Sequence, residues 1–477
     1  MNPAATSEPA DPTAELPRRI GLWQATALNM IDMVGIGPFL VLPTVMGLLG
    51  PRFLWAWVAG ALLSVFDGLI WSELGAAHPT AGGSYRFLKL AYGEQKWGRL
   101  LSFLYVWQTL VQAPLVIASG SIGFSQYAAY LIPALQGDAG AIPRKAVSGL
   151  VVIALTILCY RRVEGIGRIG VLLWVGVLGT LGWLIWGGLS APAPLPVPTG
   201  FDLAGADLTG PGSLTGLAIA AALGAASVKT IYSYLGYYNV CHLGGEIENP
   251  SRVIPRAILL AIAGITGLYL LLNVAVARVI PWQEAQHSDF IVSLFIERRY
   301  GPAAAVVATG LILWVAFASL FAVMVGYARI PYAAAADGQF FRVFARLHPR
   351  GQFPYVVVLT LGAVAFVFSL LFRLAEVIAA IIAMRVVVQF IMQAIGAWRL
   401  RRRAEREGRP LPFRMPLFPL PILIAVTCWL AIFASTGQQQ IISASVMISL
   451  GVVAFLLKAR AQREWPLAPP ETMNNEQ

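Results

Sequence analysis

Runs of about twenty apolar residues recur along this 477-residue chain from near one end to near the other. A helix of that length crosses the hydrocarbon core of a bilayer, where every backbone polar group must find its partner inside the protein. Twelve such runs are read at 22–49, 53–77, 98–131, 146–160, 168–190, 214–243, 255–280, 303–335, 354–372, 374–398, 417–436 and 440–458. The third and eighth are long enough to tilt strongly or to run past the bilayer. The stretch HSDFIVSLFIERRY (287–300) is too short and too polar to span, and is read as an interfacial helix. Charged residues make up 12% of the chain, against roughly 25% in soluble domains. The expected fold class is therefore an all-α integral membrane protein, built as one large bundle of 12 transmembrane helices.

The formal net charge is +11, and its placement explains it. With the N-terminus inside, 25 of the 34 Lys and Arg fall at cytoplasmic ends and loops. They include Arg18 and Arg19, the groups at 86–99, 161–168 and 329–350, the run from Arg399 to Arg414, and Lys458 to Arg463. The long outer loop 191–213 has none. Positive charge kept on the inner side sets orientation, so the basic run WRLRRRAEREGR (398–409) is read as a topological anchor and no nucleic-acid partner is expected. The reading is a multi-pass protein of the plasma membrane (the inner membrane of a Gram-negative cell), with both termini cytoplasmic.

Residues 1–19 and 461–477 read as cytoplasmic tails around a transporter-sized domain at 20–460. The start lacks a basic segment followed by a short apolar core and a cleavage site, so no cleaved signal peptide is expected. Cys159, Cys241 and Cys428 stand in separate segments, as do the four histidines. No disulfide framework, metal site or cofactor is indicated.

Two of the apolar runs are interrupted by glycine near their middle. The first contains NMIDMVGIGPF (29–39), with Gly35, Gly37 and Pro38; the sixth contains YSYLGYYNV (232–240), with Gly236. Each opens a set of five runs. Glycine tolerates unwound dihedrals and proline cannot donate to the helix ladder. Broken backbone at membrane depth must be buried in protein or line a water-filled cavity. Freed amides at a half-helix start attract an anion, and freed carbonyls at a half-helix end attract a cation. Two broken helices side by side can thus hold a zwitterion at both ends. Matched breaks in two halves are a sequence pointer to the binding site of a secondary transporter. An odd number of spans per half turns the second repeat upside down relative to the first. The alternative at each break is a kink that lets helices pack closely.

Charges inside the apolar runs carry a second signal, because a charge at mid-helix costs about 2.5–3.5 kcal/mol on insertion scales and so faces the bundle interior. Asp32, Asp67, Lys229 and Arg385 qualify. Asp32 and at least one cation are candidates for coupling or substrate recognition, the alternative being a fixed buried ion pair; for Asp67 the fixed pair is the favoured reading. Arg385 suits either an acidic substrate or an outer gate. Asp32 would repel a carboxylate placed beside it. It should meet an ion, a proton, Lys229, or the amine of a substrate.

Four segments carry a resemblance. VGIGPF (34–39), WSELGAAHPTAGGSYRFLKLAYG (71–93), YSYLGYYNVCHLGGEIENPSRVIPRAI (232–258) and ARIPYAAAADGQF (328–340) resemble, in order and spacing, motifs of the amino acid–polyamine–organocation superfamily of permeases. The resemblance covers about 20–460. It implies two inverted five-helix repeats, at about 20–190 and 214–400, with broken helices 1 and 6, plus two extra helices at 417–458. It implies a substrate between spans one and six. The amides of Gly35, Ile36 and Gly37 would receive a carboxylate, and the carbonyls of Tyr232, Ser233 and Leu235, around Gly236, would receive an ammonium. Tyr237 would close over the substrate. Trp107 and Gln108 would line the pocket from span three. This chain has Ile36 and Pro38 where the family has Ser and Ile, and Gly-Pro-Phe is similar to polyamine-importing members. Many members have a lysine in span five that stands in for sodium; Val177 is there instead. Ser319 is a candidate sodium ligand, although an isolated serine on a helix usually bonds its own backbone.

The reading is a secondary active transporter moving an amino acid by alternating access, with possible proton or sodium coupling. The alternative is a polyamine or other organic-amine transporter, or a transporter-like nutrient sensor. An enzyme is not expected: Asp32 and Asp67 as an intramembrane aspartyl pair lack the Gly-x-Gly-Asp segment that such a pair needs. Oligomeric state is left open.

Overall fold

The first apolar run forms two helices. In the computed structural model, which describes residues 18–160, 166–192, 216–349, 351 and 353–466, α1 (Leu22–Val34) ends at Gly35 and α2 (Gly37–Leu49) starts anew at an angle of 43°. Gly35 has φ +41°, a value that a residue with a Cβ rarely adopts. Pro38 sits in the first turn of α2, where its missing N–H removes no helical bond. The tail 1–17, most of the loop 191–213, Arg161 and Arg162, and the C-terminal residues 467–477 lie outside the described residues, as do the side chains at 166–168, 216–217 and 375–376.

The rest of the first half is α3 (Leu54–Ala77), the short α4 (Ser84–Tyr92), α5 (Trp97–Leu131), α6 (Ala141–Tyr160) and α7 (Ile166–Leu189). α8 (Gly216–Tyr234) then stops at a second break, 235–238, before a single turn, α9 (Asn239–His242). Gly236 has φ +123°. α10 (Pro250–Ala277), the small α11 (Trp282–Ala285) and α12 (Ile291–Tyr300), α13 (Pro302–Ala336) and α14 (Tyr355–Leu371) follow. α15 (Leu374–Arg385) runs through a π-helical stretch, Val386–Met392, into α16 (Gln393–Arg406). α17 (Leu420–Ser435) and α18 (Gln438–Gln462) end the bundle.

Eight described helices are long and apolar enough to cross a membrane, nine if the bent pair α1–α2 is one span; α14 and α17 are shorter apolar helices. α8 takes the sixth place in the expected order. α5 and α13 have 35 residues each, about 52 Å at 1.5 Å per residue, and so exceed a core of about 30 Å. α12 falls inside the stretch read as interfacial. Two features were not legible: α4, which lacks an apolar run, and the π-helical stretch in the tenth span.

The packing repeats between the two halves of the bundle. α1 packs on α10 as α8 packs on α3. α7 packs on α10 and α13, as the α15–α16 helix packs on α3 and α5. α3 lies along α10, α5 along α13 and α6 along α14, each pair joining equivalent helices of the two halves. α18 turns Ala444, Gly451, Phe455 and Ala459 inward and leaves Leu450, Val453 and Leu457 outside, where lipid tails are as apolar as leucine.

Candidate functional site

The two breaks face each other across a cavity of about 50 Å³. By the measure in which one water takes roughly 10–15 Å³, it has room for a few waters. Gly35, Ile36 and Gly37 line it from the first break; Tyr232, Ser233, Leu235, Gly236 and Tyr238 from the second. Val116 and Gly120 of α5, Ser319 and Tyr327 of α13, and Ile381 and Arg385 of α15 complete the wall, with Asp32 at the end of α1. α2 has no side-chain cap, so the orphan amides of its first turn remain for an anion. Gly37 lies so close to the second break that an added Cβ would stand 3.1 Å from Tyr232 Cε1 and 3.2 Å from Ser233 Oγ.

Side chains from three helices hold the breaks together. Asn29 on α1 donates from Nδ2 to the Tyr237 carbonyl at 2.6 Å and accepts the Val240 amide at 2.9 Å, so it replaces two helical bonds that the second break forfeits. The Tyr269 hydroxyl on α10 lies 2.8 Å from the Met33 carbonyl and 2.9 Å from the Ser233 carbonyl. Ser319 on α13 donates to the Asp32 carbonyl at 3.3 Å rather than to its own helix. The Met33, Ser233 and Asp32 carbonyls are among the freed acceptors of the two half-helices, and each of these three is already met by a hydroxyl.

The expected site residues divide. Asp32, Arg385 and Ser319 reach the cavity with both glycine breaks; Lys229 does not. Lys229 is half-buried on α8 and makes no ion pair among the described residues, so the pairing of Asp32 with Lys229 is not found. The cation that shares the cavity with Asp32, and whose field reaches it, is Arg385. Its Nη1 donates to the Tyr238 hydroxyl, and its guanidinium lies 5.7 Å from the Tyr238 ring centroid and 5.3 Å from that of Tyr327. Tyr237 does not cover the cavity. The turn points it the other way, and its hydroxyl donates to Asp67 Oδ2 at 2.6 Å; Tyr238 takes the position facing the cavity. Asp67, also bonded by Trp429 Nε1 at 3.2 Å, is a structural anchor. Trp107 and Gln108 do not line the cavity; Trp107 packs on Gly451 and Phe103, and α5 offers Val116 and Gly120 about two to four turns further on.

The remaining motifs meet at one end of the bundle. Asp337, after α13, accepts from Tyr85 at 2.9 Å, Lys89 at 3.1 Å and Arg86 at 3.4 Å, all on α4. Arg329 donates to Glu246 at 3.0 Å, and the Glu246 carbonyl accepts the amides of Arg19 and Ile20 at 2.9 and 3.0 Å. The Gly82 amide reaches the His242 carbonyl at 3.2 Å. Glu73 accepts from Arg401 at 2.9 Å and from the Met415 amide at 2.7 Å. Segments 71–93, 232–258 and 328–340 thus form one polar closure below the breaks. Asn29 and Tyr269 escaped the sequence reading, since each acts on distant backbone; for Asn29, an amide one helical turn before the intramembrane Asp32 was the available signal.

A family model described as amino acid permease matches residues 20–457. A serine/threonine exchanger of Bacillus subtilis is 26% identical over 443 residues, covering 92% of this chain and 95% of the exchanger. A branched-chain amino acid permease of the same species is 23% identical over 465 residues, 93% of this chain and 94% of the permease. Cationic amino acid transporter 4 of Mus musculus is 26% identical over 408 residues, 79% of this chain and 59% of that transporter.

Proposed function

The chain belongs to the amino acid permease family, and from that premise we propose that it is a secondary active transporter carrying an amino acid across the plasma membrane by alternating access. One observation carries this reading: the uncapped start of α2 and the unwound turn after α8 face each other across one cavity. A substrate carboxylate takes the amides of Gly35, Ile36 and Gly37. Its ammonium takes the free carbonyls of the second break, at Tyr232 and Leu235, with Asp32 beside them. The Ser233 carbonyl, already met by Tyr269, serves as structure rather than as ligand.

Alternation then consists of the two half-helix pairs rocking against α5 and α13. The polar closure around Asp337 opens when the cavity's other side is shut. Both termini and α4 are cytoplasmic in this reading, as the distribution of Lys and Arg favours. Proton or sodium coupling is assigned to the Asp32–Ser319 neighbourhood, where a carboxyl, a hydroxyl and a half-helix end come together.

Counterflow in proteoliposomes tests the reading. Vesicles preloaded with a permeant amino acid should accumulate the labelled amino acid saturably, and Gly236→Val vesicles should not. Stabilisation of the purified protein by polyamines alone, with no amino acid exchanged, would overturn it.

A further inference from the structure

We propose that the cavity takes an acidic amino acid, a zwitterion whose short side chain ends in a second carboxylate that Arg385 receives. The proposal rests on the transport reading above and names the substrate class of that site.

Arg385 is 2% exposed and lines the cavity from the last residue of α15. A guanidinium has five N–H groups in a fixed fork. Here Nη1 bonds the Tyr238 hydroxyl, while Nε and Nη2 have no partner. No carboxylate pairs with it among the described residues. A buried charge left unmatched destabilises far more than a neutral side chain of similar volume would, so packing alone does not account for an arginine here. The rings of Tyr238 and Tyr327 fix the guanidinium in place while leaving part of its fork free, an arrangement suited to bidentate capture of a carboxylate.

The charge balance of the cavity selects among amino acids. Asp32 is the only acid among the residues that line it. A Cβ built on Gly236 would stand 2.9 Å from Asp32 Cγ, so this carboxyl lies against the unwound turn whose carbonyls attract an ammonium. Asp32 shares the cavity with Arg385 without forming an ion pair with it, so the two charges balance only in part. A bound zwitterion changes that: its carboxylate goes to the amides of α2, its ammonium claims Asp32, and Arg385 is left without a counter-charge. A neutral side chain leaves the guanidinium stranded, and a cationic one sets two positive charges together. A second carboxylate completes the set. The walls formed by Ile36, Val116, Leu235 and Leu320 favour a short chain, of the size of aspartate or glutamate.

The test uses the full-length protein in proteoliposomes, with labelled L-aspartate and L-glutamate set against their near-isosteric amides, L-asparagine and L-glutamine, and against L-leucine and L-lysine. The acids should be taken up at least tenfold better than the amides, and Arg385→Gln should reduce that acid-to-amide preference at least tenfold. Thermal stabilisation of the unmodified protein is a second readout that needs no variant: the acids should raise the midpoint and the amides should not. Transport of neutral or cationic amino acids with no inhibition by excess aspartate or glutamate overturns the acidic class and leaves amino acid transport standing. Equal stabilisation by acids and amides also counts against it. Absence of exchange with every amino acid removes the transport reading and this proposal together.

Discussion

The Tyr237 hydroxyl donates to Asp67 Oδ2 at 2.6 Å, and this bond ties the turn after Gly236 to the middle of α3. Trp429 Nε1 binds the other carboxylate oxygen, so α17 is drawn into the same anchor. Buried interhelical hydrogen bonds in membrane proteins are worth roughly 0.6–2 kcal/mol each. Tyr237→Phe should therefore lower the thermal midpoint by a few degrees and leave the KM for substrate within about threefold. A midpoint unchanged with KM raised tenfold would place Tyr237 in the pocket after all.

That residue also marks where the sequence ceases to be readable. The breaks were legible because glycine and proline have local backbone consequences, and Asp32 and Arg385 were legible because a charge within an apolar run must face inward. Which of Tyr237 and Tyr238 faces the cavity depends on how the chain emerges from Gly236 at φ +123°, where helical periodicity no longer applies. Lys229 presented the same signal as Arg385, yet the helical face it occupies turns it away from the cavity. Asn29 looked like an ordinary polar residue; its partners, Tyr237 and Val240, are more than 200 positions distant and no local pattern names them.

Asp32 sits where an ammonium is expected, whatever the side chain attached to it. Asp32→Asn should accordingly raise KM at least tenfold for every transported amino acid, acidic or not, which separates it from Arg385, whose loss should affect acids selectively. Counterflow across a set of substrates measures this. A KM that stays the same, together with loss of pH or sodium dependence, would leave Asp32 with coupling alone and remove it from recognition.

At the polar closure, Asp337 accepts from three donors on α4. Its side chain is 36% exposed, so each ion pair contributes about 0.2–1 kcal/mol. Asp337→Ala should release α4 and speed amide exchange across 84–92 several-fold. Asp337→Asn, which retains an acceptor for Tyr85, should have a smaller effect, and raised salt should diminish the difference between Asn and the unmodified protein. Exchange unchanged in both variants would mean that Arg329–Glu246 and Glu73–Arg401 hold this end without Asp337.

The two glycine breaks should respond differently to the same substitution. Gly35→Ala forces a Cβ into φ +41° and ψ −158°, at roughly 1–3 kcal/mol, and brings it 2.9 Å from Ser319 Oγ. The next atom, Ser319 Cβ, is at 3.4 Å, an ordinary contact. Ser319→Ala should therefore recover part of the lost thermal stability when combined with Gly35→Ala, leaving only the backbone strain. At Gly236 the added Cβ would stand 2.8 Å from the Met33 amide nitrogen and 3.0 Å from the Asp32 carbonyl carbon. Those are backbone atoms, and truncating the Asp32 side chain does not move them. Gly236→Ala should stay as damaging with Asp32→Ala as without it. Thermal midpoints of the four single and two double variants decide this, since contacting sites couple and the coupling is the quantity of interest. Equal recovery at both breaks would show that the turns yield as readily as side chains, and that their close approach does not define the site.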